Sequence, residues 1–104
     1  MPGKNRLYTV KITETAWTLI SHTVFLANVS VPAANKLIDS FVEATDSLAS
    51  LPERSPWLEH DAIPFQKYRK LLFGKYYLAL YQIQENSVYV VAVIDCRQDH
   101  TLLP

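Results

Sequence analysis

Glycine is almost missing from this chain: Gly3 and Gly74 are the only two in 104 residues. A glycine-rich phosphate loop is therefore excluded, because such a loop needs several glycines to bring backbone N–H groups close to phosphate. Cysteine occurs once, as Cys96, so an intramolecular disulfide and a CxxC metal or redox motif are excluded too. No GxSxG motif is present, and a lone cysteine beside Asp95 reads as a small, partly buried hydrophobe rather than a nucleophile. His22, His60 and His100 are scattered. No pair of them has metal-ligand spacing, so neither metal nor cofactor is expected. His60 beside Asp61 reads as a solvated loop pair.

Net charge is missing as well, since ten basic and ten acidic residues cancel and leave no global field to attract nucleic acid. The most lipid-like stretch, Trp17 to Val31, is interrupted by Ser21, His22, Thr23 and Asn28 and is too short to span a bilayer. No membrane segment is expected. Met1 to Ile12 is basic and polar, unlike a cleavable signal peptide. With the single cysteine, this points to a reducing cytoplasm.

What remains is an ordinary globular composition, 49% hydrophobic and 19% charged, in a chain with room for one domain over 1–104. Such a domain buries somewhat over ~60% of its unfolded surface. Its charges are unevenly spread. Asp39, Glu43, Asp46, Glu53, Glu59 and Asp61 face only Arg54 between Leu37 and Gln66, whereas Lys67, Arg69, Lys70 and Lys75 follow with no acid among them. A basic patch on the hairpin they share is expected, either as a binding surface or as solvated charge that discourages edge-to-edge aggregation.

Tyr68 to Asp99 carries three strand-like runs. Tyr68 to Phe73 is followed by Gly74-Lys75, a two-residue link with glycine first that predicts a type II′ hairpin. Tyr76 to Gln84 then sets Tyr77, Ala79, Tyr81 and Ile83 on one face and Leu78, Leu80, Gln82 and Gln84 on the other. After the polar break Glu85-Asn86-Ser87, the unbroken apolar run Val88 to Ile94 suits an interior strand covered on both faces. Tyr68, Tyr76, Tyr77 and Tyr81 lie among the cations of the first hairpin. That pattern suits either base stacking with phosphate contacts or cross-strand packing.

Upstream, Leu7 to Ile12 alternates as a half-buried strand. Thr13 is placed to cap a helix whose apolar positions are Ala16, Ile20, Val24 and Ala27, flanked by Trp17 and Leu19. Ser30, with Pro32 in the first turn, opens a second amphipathic helix running toward Pro52. The short connector makes these helices an antiparallel hairpin laid on the sheet. Leu51 to Gln66, with Pro52, Pro56 and Pro64, reads as an ordered loop pinned by Trp57 and Phe65. The fold class is α+β, β-α-α-β-β-β, with the N-terminal strand and helical hairpin packed on one face of a mainly antiparallel twisted sheet.

The three-strand meander, the Tyr81 that closes YYLALY and the terminal IDCRQD resemble the RelE/ParE superfamily of plasmid stabilisation toxins, over roughly Tyr8 to Leu103. The resemblance implies the toxin of a type II toxin-antitoxin pair, bound by a cognate antitoxin that wraps it with an amphipathic segment. Ribonuclease members cut messenger RNA on the ribosome. Their pattern has an arginine three residues before the third strand's closing tyrosine, where this chain has Leu78, and a second after the last strand, where it has Arg97. Their late tyrosine is absent, and His100 is the substitute at hand for proton handling. ParE-like members instead bind DNA gyrase without catalysis, and Asp95, Arg97 and Asp99 match their H/D-x-R-x-D ending. A degenerate interaction module is the third alternative. By this resemblance Arg97 and His100 are the catalytic candidates if the chain is a ribonuclease. Lys67, Arg69, Lys70, Lys75, Tyr81, Arg97 and Asp99 are candidates for target binding. Arg97 is expected at the open end of the sheet, near Tyr81.

Overall fold

The computed structural model describes residues 7–96, apart from the side chains of residues 26 and 27. The chain runs β1 (Thr9–Ile12), α1 (Glu14–Ala27), α2 (Val31–Asp46), β2 (Arg69–Phe73), β3 (Tyr77–Gln84) and β4 (Ser87–Asp95). The four strands form one sheet in the order β1-β4-β3-β2. β2 pairs antiparallel with β3, and β3 with β4, while β1 lies parallel to β4. The expected α+β order holds, and β4 is an interior strand. The first strand begins two residues later than its alternation suggested.

Capping residues start both helices. The Thr13 hydroxyl accepts the Ala16 N–H at 3.2 Å and donates to the Val90 carbonyl at 2.9 Å, so a single side chain both opens α1 and ties it to β4. The Ser30 hydroxyl accepts from Ala33, with Pro32 in the first turn of α2. The α-helix stops at Asp46 and tightens into a 3-10 turn, Ser47–Ala49, rather than running on to Pro52. Hydroxyls cause this: Thr45 donates to the Phe41 and Val42 carbonyls and Ser47 to that of Ala44, competing with the helix's own bonds. Leu48 is buried all the same.

Both faces of the sheet are covered, by different means. On one, Ala16, Ile20 and Phe41 of the helices meet Phe73, Tyr77, Ala79, Tyr81, Val88, Val90 and Val93. Each large side chain buried there stabilises the fold by roughly 1.5–3 kcal/mol. On the other, Leu58 from the connecting loop packs with Leu80 and Ile94, aided by Ile63, Tyr68 and Leu78. Trp57 is half-buried, but Phe65 is 86% exposed. Leu58 therefore anchors the loop in the role expected of Phe65, because it reaches the apolar slot between β3 and β4.

A bulge lets one valine-rich strand serve both faces. Leu80 pairs with Ala92 but Tyr81 with Val90, leaving Val91 as the extra residue that shifts the inward phase of β4. Val88 and Val90 before it face the helices, and so does Val93 after it. The β2–β3 reversal also differs from the type II′ form, since both Gly74 (φ 57) and Lys75 (φ 78) are left-handed. Phe73 pairs with Tyr77 across the reversal, so the loop spans three residues, 74–76, rather than the two-residue link expected from Gly74-Lys75.

Candidate functional site

Alternation along β2 decides where its cations go. Arg69 pairs with Tyr81 and Lys70 with Leu80, so the two basic neighbours in sequence sit on opposite faces of the sheet. On the helix side, Arg69 Nη1 donates to the backbone carbonyls of Glu53 (3.0 Å) and Ser55 (2.7 Å). Its guanidinium also stacks over Trp57 at 3.9 Å. These contacts hold the first part of the connecting loop against β2, and Trp57 forms an antiparallel bridge to Arg69. Lys67 lies over the Tyr68 ring at 5.4 Å. Lys75 sits at the reversal beside Lys36 and Leu37. The four cations are thus distributed over two faces and a turn.

Tyr81 is wholly buried, and its hydroxyl donates to the Pro52 carbonyl at 2.6 Å. Burial raises the phenol's pKa, assisted by the Glu53 charge and opposed by a hydrogen bond with Ser55 and the charges of Arg69 and Arg54. The ring is a bolt between sheet and loop. Arg97, Asp99 and His100 lie outside the described residues, as does the expected placement of Arg97 near Tyr81. β4 itself ends with Asp95 paired to Tyr77 and the Cys96 N–H bonded to the Tyr76 carbonyl. Tyr81 pairs five residues earlier in β4, with Val90.

On the face away from the helices, Lys70, Leu78, Cys96 and His60 line a cleft of about 450 Å3 together with Glu59 and Asp61. Three elements converge here: the edge strand supplies Lys70, the start of β3 supplies Leu78, and the loop swings His60 over them. The Cys96 thiol has its pKa raised by burial and by the Asp95 carboxylate, with Lys70 pulling the other way. It is accordingly a poor nucleophile near neutrality.

His60 is the site residue that its sequence context does not single out. Its Nδ1 accepts the Ala62 N–H at 2.9 Å, which places the ring proton on Nε2 in the neutral form. That Nε2 is buried without a partner among the described residues. Only the fold reveals this, because an acceptor bond to a backbone two residues on leaves no mark in the spacing of residues. No cluster of three or more His, Cys, Asp or Glu among the described residues is arranged to hold a metal. Nor is any described helix long and apolar enough to cross a membrane.

Comparison with known proteins bears on this architecture. The model of the family described as ParE toxin of type II toxin-antitoxin system, parDE, matches residues 10–100. Among solved structures, the chromosomal ParDE TA system from P. aeruginosa is similar, with a TM-score of 0.69 and 13% identity, over 88% of this chain and 98% of that one. The toxin-antitoxin complex RelBE2 from Mycobacterium tuberculosis is similar with a TM-score of 0.59 and 20% identity, over 88% and 94%. No curated protein matches. At these identities the structures speak for the fold, whereas the family match spans nearly the whole chain. This chain belongs to the ParE toxin family, the toxin component of type II toxin-antitoxin systems.

Proposed function

We propose that this toxin arrests growth in the bacterial cytoplasm by binding DNA gyrase, as ParE-like members do, and that a cognate antitoxin relieves the arrest. The observation that carries the reading is Leu78. It occupies the position that ribonuclease members of the superfamily give to an arginine, and it lines the cleft with an isobutyl group between Lys70 and Cys96. A scissile phosphate needs convergent cations at that place. An apolar floor instead suits a protein surface. Lys67, Lys70 and Lys75, with Arg97 and Asp99 beyond β4, are the residues assigned to the target contact.

Purified toxin should block plasmid supercoiling by gyrase and leave messenger RNA intact in a translating extract, with Arg97→Ala relieving the block. Ribosome-dependent cleavage would overturn this reading. It would favour the ribonuclease instead, for which one observation speaks: the His60 imidazole and the Lys70 ammonium line the same cleft. In that case Lys70 and Arg97 hold phosphate, and His60 or His100 moves the proton of the attacking 2′-hydroxyl. Cleavage lost in His60→Ala but kept in His100→Ala would assign the proton to the loop histidine.

A further inference from the structure

We infer that the His60 imidazole is an acid-released latch: unprotonated, it holds the loop of residues 59–66 closed over the sheet, and protonation frees that loop and opens the cleft it covers. Two hydrogen bonds shape the loop beside β3 and β4, and His60 receives both. The Ala62 N–H donates to its Nδ1 at 2.9 Å, and the Ile63 N–H to its carbonyl at 2.9 Å. The turn closed in this way brings Ile63 onto the cluster of Leu58, Leu80 and Ile94.

The lock works in one protonation state. An imidazole nitrogen accepts only while it carries no proton, and the imidazolium ion donates from both nitrogens. A proton on Nδ1 would stand against the Ala62 N–H, donor facing donor, and that bond is lost. Histidine is the side chain that changes charge between about pH 5 and 8, so mild acidification is enough to reach it.

The surroundings decide where the charged ring goes. Its Nε2 is buried without a partner among the described residues, so a charge kept there would be neither hydrated nor paired. Lys70 of β2 lines the same cleft, and its ammonium repels a second cation. Glu59 and Asp61 are exposed carboxylates on either side of the histidine, and they draw the cation outward. Cys96, after β4, adds no charge near neutrality, because burial and the Asp95 carboxylate keep its thiol protonated. Leu78 of β3 is apolar. Desolvation, repulsion and attraction therefore act in one direction, away from the closed seat. With the ring gone, Ile63 loses its turn, and Leu58, 3% exposed in the closed form, is uncovered together with Leu80. The cleft beside Lys70 becomes wider and more apolar. This latch works alike whichever macromolecule the cleft meets, since it needs only the loop and its neighbours.

The test uses the full chain labelled with 15N, followed between about pH 8 and about pH 5. At the higher pH the ring signals of His60 should show an unprotonated Nδ1 and a protonated Nε2. On acidification the protection of the Ala62 amide against solvent exchange, referred to an unstructured chain at the same pH, should fall about tenfold. Its midpoint should be that of the His60 ring and not that of His22 or His100. His60→Asn, whose side-chain oxygen can take an N–H two residues on and does not titrate, should keep its Ala62 protection across the range. Unchanged protection through the His60 titration, a proton on Nδ1 at the higher pH, or an equal fall in His60→Asn would overturn the proposal. Should the variant fail to fold, the ring and amide signals decide on the unaltered chain.

Discussion

The Tyr81 hydroxyl donates to the carbonyl of Pro52, twenty-nine residues away in sequence and 2.6 Å away in space. Both residues are buried, so neither group finds water if the other is removed. Tyr81→Phe should leave the Pro52 carbonyl unsatisfied and lower unfolding stability by about 1–3 kcal/mol, measured as a shift of the urea midpoint at unchanged slope.

The same phenol makes stability depend on alkali. Its folded pKa lies above the unfolded value of 10.0, chiefly because burial disfavours the phenolate. The folded state therefore holds its proton where the unfolded state has begun to lose it. Stability from this group is fully present below the unfolded pKa and is lost as pH rises through the folded one. Urea melts between neutral pH and about pH 11 should show a decline that is shallower in Tyr81→Phe. Equal declines in the two proteins would place the alkaline sensitivity elsewhere.

At Gly74 substitution meets both a backbone and a packing barrier. Its φ is +57°, and an added Cβ would stand 3.1 Å from Leu37 Cδ1 and 3.2 Å from Tyr77 Cδ2. Gly74→Ala should destabilise by about 1–2 kcal/mol from the left-handed conformation, with any rearrangement at Leu37 adding to that. Gly74→Asn, which tolerates the left-handed region better, should still lose stability through the contact. Thermal melts of the two variants separate these contributions.

Arg69 and Lys70 should part company on mutation. Arg69→Ala strips donors from the Glu53 and Ser55 carbonyls and uncovers one face of Trp57. It should lower stability by about 1–3 kcal/mol and shift the tryptophan emission to the red. Lys70→Ala, which loses no side-chain hydrogen bond to a described residue and removes an ammonium that lines an open cleft, should leave the melt nearly unchanged while weakening growth arrest.

The meander and the helical hairpin were legible because their punctuation is local. Gly74 marks one reversal, Glu85-Asn86 the next, and Thr13 and Ser30 announce the helices they cap. Non-local facts left no such trace. Nothing in Thr9–Ile12 says that it will lie parallel to Ser87–Val90, since pairing across most of the chain has no short-range signature. The bulge at Val91 was masked by its setting: with valine on both sides, a phase shift changes nothing in the pattern of residue types. The split of Arg69 from Lys70 follows from strand alternation, which was legible. That Arg69 would be consumed in holding Glu53 and Ser55 was not, because those carbonyls come from a proline-rich segment without periodicity. The same segment hid Leu58 and His60, whose positions depend on where the loop crosses the sheet.

The parallel pairing of the first strand with the last sets a condition on how the molecule comes into being. β1 can find its neighbour only after β4 exists, and the Thr13 cap waits on Val90 for its second bond. While the chain is still emerging from the ribosome, the helical hairpin has no sheet to rest on. Its apolar stripe stays uncovered until residues near 90 are free to pair. A poison built in this order gains its shape only near the end of its own synthesis, and a chain cut short before β4 has no path to it.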